Sequence, residues 1–244
     1  MMQPIQELGW SQVVELLKAA PGDLRLSQRL TERCSSLTGK EINVDPITKA
    51  RVLWLGLSRG HALLKQAVEW EQPFIGRQAQ PNQLDGVRGS LWRYVMAFSG
   101  WEQAGRSVIW DGTQPKWFKQ SSLTCLYDHS TTLVPPWPNL EQVPANLKQW
   151  LAFSMDEQQP LPDFLALGDG QADFVPWLLG EPHQLYPWAV LACLRNVVAH
   201  GALSPTKAQQ WGLAPLYDDG IAVLHTLFRR LLAATVGSAE VIHG

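Results

Sequence analysis

The chain has 244 residues, of which 45% are hydrophobic and 17% charged, with a formal charge of −2 and a pI near 6.3. This composition excludes a disordered chain, and the length suits one large domain or a core domain with helical additions. No dense Lys/Arg run exists, which excludes a broad platform tracking long nucleic acid but leaves room for a compact site gripping one or two phosphates.

Helical periodicity dominates. Residues 5–20 read as an amphipathic helix stopped by Pro21-Gly22, and Asp23 caps a second helix running to about Thr38, where Gly39 ends it. Together, residues 1–44 form an expected N-terminal helical extension. A third helix opens at Pro46 behind Asp45, with Ile47, Ala50, Trp54, Leu57, Leu64 and Val68 as its apolar stripe. A fourth runs over about 84–109 with Leu84, Val87, Leu91, Tyr94, Phe98, Trp101 and Val108 on one face. Asp111-Gly112 and Pro115 close it.

Residues 111–184 differ in character and read as an irregular insertion. Val134-Pro135-Pro136-Trp137-Pro138 favours extended backbone, and helices are expected over about 139–155 and 172–179. A long helix then spans about 185–200 with Val190, Leu191, Leu194, Val197 and Val198 inward, stopped by Gly201. Ser204-Pro205 opens a short helix to about Trp211. A final helix covers about 215–235, with Leu216, Val223, Leu224, Leu227, Leu231 and Ala234 inward. Four helices of this length suit an antiparallel bundle, so the expectation is an all-α fold: a four-helix bundle domain over 45–240 carrying the insertion.

Cys34, Cys125 and Cys193 lie far apart with no CxxC spacing, which fits a reducing compartment and builds no zinc site. Met1 to Trp10 lacks a basic segment followed by an apolar core, and no apolar run approaches a membrane span. The expectation is a cytoplasmic protein away from membranes. No Walker A lysine motif, GxGxxG after a strand, GxSxG or HExxH occurs, so no cofactor or metal is expected.

The sharpest local pattern is Leu194-Arg195-Asn196-Val197-Val198-Ala199-His200-Gly201. It resembles the signature of the HEPN superfamily, in which an Arg and a following polar residue precede a His by a short fixed gap. The resemblance covers about eight residues of motif and, through the bundle, about 46–235. It does not account for the N-terminal extension or the proline-rich insertion. It implies a helical bundle and, in many members, a metal-independent ribonuclease whose two motifs meet across a homodimer. Other members have lost catalysis and serve as nucleotide-binding or interaction modules. On this resemblance Arg195, Asn196 and His200 are the candidate catalytic residues, RNA the substrate, and a toxin–antitoxin or defence role, with an antitoxin or other protein partner, the setting.

Helical geometry adds its own terms. At about 100° per residue, Asn196 and His200 lie about 40° apart, so Asn196 can buttress the imidazole. Arg195 and His200 lie about 140° apart, so one regular helix does not aim both at one phosphate. Either the helix frays near Gly201 or a partner subunit completes the site. His200 at a helix C-terminus favours imidazolium, which suits an acid better than a base. The bland alternative is that Arg-Asn before His-Gly is C-terminal capping chemistry.

Glu102 and Arg106, one turn apart, could orient Arg195 or His200 but more often form a solvated surface pair. His61 and His225 share faces with apolar residues and read as core histidines. Cys193 shares a face with Asn196 and His200 but lies about 10.5 Å of helix rise from His200, too far for direct proton transfer. Gly168-Asp169-Gly170-Gln171-Ala172-Asp173 lacks calcium-loop spacing and reads as a turn.

Overall fold

A computed structural model describes residues 10–70, 83–113, 123, 187–201, 203–210 and 212–237. The proline-rich connection, the helices expected over 139–155 and 172–179, the turn at 168–173 and Cys125 lie outside the described residues. Every regular element among the described residues is helical.

The helix boundaries follow local chemistry. α1 (Trp10–Ala19) passes into a short 3-10 turn at Ala20–Gly22, where Pro21 cannot continue an α-helix. Asp23 then caps α2 (Leu24–Thr38), its Oδ1 accepting from the N–H groups of Arg25 at 2.9 Å and Leu26 at 3.1 Å. Gly39 ends α2 at φ 62°, a left-handed conformation that a residue without Cβ adopts freely. Asp45 caps α3 (Pro46–Glu69), accepting from the N–H and hydroxyl of Thr48 at 2.8 and 2.7 Å. These hydrogen bonds hold the exposed Asp45 carboxyl below the usual carboxylate range. α4 (Gln83–Ile109) is followed by a turn in which Asp111 accepts from Thr113 and Gly112 has φ 100°.

By compactness the chain divides into two units, each assembled from separate stretches. The first takes the described parts of Met1–Leu64, Ser99–Val134 and His225–Gly244. In it α3 and α4 cross with their backbones almost touching. A Cβ built on either Gly60 or Gly100 would lie 2.6 Å from the other's carbonyl oxygen. Gly56 faces Ser107 just as tightly, and Ala104 lies beside Gly60. The buried residues of α3 include Leu53, Gly56, Gly60 and Ala67, none of which is in the apolar stripe read from the sequence. Conversely Val68, assigned to that stripe from sequence, is 51% exposed.

Lys49 is the unexpected occupant of this unit's core, with 0% of its surface exposed. Its ammonium donates to the carbonyls of Ser107 at 2.9 Å, Val108 at 2.8 Å and Trp110 at 2.6 Å. The lysine thus satisfies the orphan carbonyls at the end of α4 and opposes the negative end of its dipole. Burial pushes its pKa down to about 8, while Cys34, buried beside it, is pushed up to about 11. The N-terminal helix is seated on α3 in the same unit. Trp10 stacks on His61 with ring centroids 3.7 Å apart, and the Lys18 ammonium lies 5.8 Å from the Trp54 ring.

The second unit takes the described parts of Lys65–Phe98 and Pro135–Leu224. It contains α5 (Pro187–Ala199), α6 (Pro205–Gln210) and the first half of α7 (Ala214–Val236). Ser204 caps α6 by accepting from the Lys207 N–H at 3.2 Å. Here an arginine repeats the role of Lys49: Arg93 Nε donates to the carbonyl of Ala67 at 2.7 Å, near the end of α3. Its Nη1 lies 3.6 Å from the Asp218 carboxylate. The expected inward residues of α7 are largely buried: Leu216, Val223, Leu224, Leu227 and Leu231 are all at 2% exposure or less.

Candidate functional site

The candidate residues stand at the C-terminal end of α5, and two buried tyrosines set where that helix lies. Tyr94 of α4 donates its hydroxyl to the Leu191 carbonyl at 2.7 Å, and Tyr217 of α7 donates to the Leu194 carbonyl at 3.3 Å. Their rings meet edge to face with centroids 5.1 Å apart. Both are fully buried, and burial raises both phenols well above their ordinary value, so they act as neutral donors. For Tyr94 the neighbouring Tyr217 and Cys193 add to this rise, and the positive charge of Arg195 opposes it.

Arg195 is half-buried, with its guanidinium carbon 5.1 Å from the centroid of the Phe98 ring. That distance is within cation–π range. Phe98 is itself 4% exposed and sits one turn beyond Tyr94 on α4. Thus α4 touches α5 at two successive turns, by hydroxyl to carbonyl at Leu191 and by ring to guanidinium at Arg195.

Asn196 is half-buried and His200 is exposed. The His200 N–H donates to the Asn196 carbonyl at 2.9 Å, so helical bonding continues through the histidine. The chain turns only at Gly201, whose φ is 73°. The Gly201 N–H then returns to the Val198 carbonyl at 3.0 Å, and the Leu203 N–H to that of Val197 at 2.8 Å. Fraying before the histidine, one of the two ways to bring Arg195 and His200 to one phosphate, does not occur. The regular helix leaves them about 140° apart around its axis.

The remaining candidates each have their own surroundings. Glu102 accepts from Arg106 Nη2 at 2.8 Å, and the two side chains are only 17% and 34% exposed. The pair is therefore more enclosed than the solvated surface pair expected, and it belongs to the other compact unit. His61 is half-buried against Trp10, as a histidine on an apolar face should be. His225 departs from the core reading: it is exposed, and partial desolvation followed by the Arg229 charge lowers its pKa. Cys193 is fully buried with its thiol pushed far up by desolvation, which agrees with a packing role.

Three residues central to this geometry, Tyr94, Phe98 and Tyr217, have no motif of their own. The only trace of the first two in the sequence is their place on the apolar face of α4. No group of three His, Cys, Asp or Glu that could hold a metal ion occurs among the described residues. No described helix is long and apolar enough to cross a membrane. Comparison with models of protein families, with curated proteins and with solved structures finds no match.

Proposed function

We propose that this chain is an endoribonuclease of the HEPN kind, cleaving RNA by attack of a ribose 2′-hydroxyl on the adjacent phosphodiester, with a second copy of the chain completing the site. The observation that carries the reading is the end of α5. An exposed His200 stands one turn beyond Asn196, and a half-exposed Arg195 is held on a buried ring. Those residues supply the needed chemistry. A guanidinium offsets the charge growing on the phosphoryl oxygens, and His200, as general acid, protonates the departing 5′-oxygen. The 2′-hydroxyl gives its proton to water and its oxygen bonds to phosphorus as the phosphorus–5′-oxygen bond breaks, giving a 2′,3′-cyclic phosphate and a 5′-hydroxyl. Because Arg195 and His200 diverge around one helix, the arginine of one copy and the histidine of another would flank a single phosphate.

The test is incubation of a labelled, unstructured RNA with pure protein in EDTA beside His200→Ala. Cleavage is expected, leaving a cyclic phosphate, and the variant should lose at least about a hundredfold in rate. Its thermal midpoint should match the wild type, because the side chain is exposed.

A second reading is a non-catalytic module of the same fold, binding a protein partner or a nucleotide. The seating of Arg195 on Phe98 favours it to the extent that the contact serves packing alone. A well-folded dimer that cleaves no RNA would establish it in place of the first.

A further inference from the structure

The contact between Arg195 and Phe98 gives a specific role to a residue outside the motif. An arginine side chain has several rotatable bonds, and fixing them costs entropy each time the guanidinium engages a ligand. A ring that already holds the guanidinium removes part of that cost before the ligand arrives. The geometry suits such a function. Phe98 is 4% exposed, so its ring is immobilised by the core and is not available to stack on a nucleobase. Contact over a ring face engages a guanidinium through its flat face, not through the in-plane N–H groups by which guanidinium groups grip phosphates. The helix beneath is fixed as well, because Tyr94, one turn before Phe98, donates to the Leu191 carbonyl one turn before Arg195.

We propose that Phe98 is the positioning residue for Arg195: its buried ring pre-orients the guanidinium that receives the scissile phosphodiester. This rests on the ribonuclease reading. It predicts that an aromatic face is required at position 98, whereas packing alone would accept any large apolar side chain. Phe98→Leu keeps an apolar group but removes the face, and Phe98→Tyr keeps the face.

The experiment has two arms on the full-length protein. The first records the side-chain N–H resonance of Arg195 by NMR, assigned by its disappearance in Arg195→Lys. In the wild type the Phe98 ring current should displace it upfield. Phe98→Leu should abolish the displacement and Phe98→Tyr retain it. The second arm measures RNA cleavage by the same folded variants. Phe98→Leu should lose about tenfold, as expected for one cation–π contact at a partly desolvated site. The loss should fall on kcat/KM, with Phe98→Tyr restoring most of it.

Absence of the ring-current displacement in the wild type overturns the positioning role, whether or not RNA is cleaved. Full activity in Phe98→Leu overturns it equally, as does a Phe98→Tyr protein no better than the leucine variant. Should Phe98→Leu fail to fold, Phe98→Met replaces it in both arms. A wild type that shows the displacement but cleaves no RNA removes the ribonuclease reading and the role that depends on it. In that outcome only the placement of the guanidinium stands.

Discussion

The crossing of α3 and α4 at Gly60 and Gly100, and the fastening of α5 by Tyr94 and Tyr217, join helices by opposite means. At the crossing, side chains are removed so that two backbones approach until each glycine faces the other's carbonyl. At α5, long aromatic side chains span the gap, each ending in a hydroxyl on a helix carbonyl. Close backbone approach gains dispersion and Cα–H···O contact but tolerates no added atom. Aromatic reach tolerates small changes, because a lost hydroxyl leaves most of the buried ring area in place. The candidate site lies on the second kind of joint, where a helix carries Arg195, Asn196 and His200 at its end.

That contrast is open to direct attack. Gly100→Ala should cost about 3 kcal/mol, at the upper end for overpacking, since its new methyl would meet a backbone oxygen that cannot move aside. The same change at Gly86, where a Cβ meets nothing within 4 Å, should instead add up to about 1 kcal/mol of stability. Urea denaturation of the two variants separates a glycine needed for contact from one that is not. Equal effects would show that the crossing is looser than the geometry requires.

Lys49→Met comes next. It removes the ammonium from three carbonyls and leaves them buried, at an expected cost of about 2 kcal/mol in the same assay. Tyr94→Phe should cost only about 1 kcal/mol, the net worth of one buried hydrogen bond. A cost as large as that of Gly100→Ala would mean that the hydroxyl, and not the ring, holds α5.

The smallest expected effect is a dependence on pH. Between its folded value of about 8 and its ordinary value of 10.5, Lys49 binds more protons unfolded than folded, so stability rises with pH in that window. Cys34 does the reverse: between its ordinary value of 9.0 and about 11 the folded state keeps a proton that the unfolded state loses, so stability falls. The two offset each other above pH 9, which leaves a net rise between about pH 8 and 9. Urea midpoints across this range should show the rise in the wild type and none in Lys49→Met. In Cys34→Ala the rise should continue toward pH 10.5.

The sequence by itself determined the helices and their ends. Asp23, Asp45 and Ser204 cap where they were expected to, and Gly39 and Gly201 terminate where a left-handed residue is needed, because capping is settled by a few neighbouring residues. The motif at Arg195, Asn196 and His200 was legible for the same reason, as was the divergence of Arg195 from His200, which follows from helical pitch alone. What surrounds the motif was not. Gly56, Gly60 and Gly100 are small residues whose role exists only where another backbone presses on them. The burial of Lys49 depends on carbonyls 58 to 61 residues away in the chain. Likewise, Phe98 looks like any apolar residue of α4 until Arg195, on a helix far along the chain, lies over its ring. Local chemistry fixes where helices begin and end, but a partner brought close only by packing decides what each face of a helix is for.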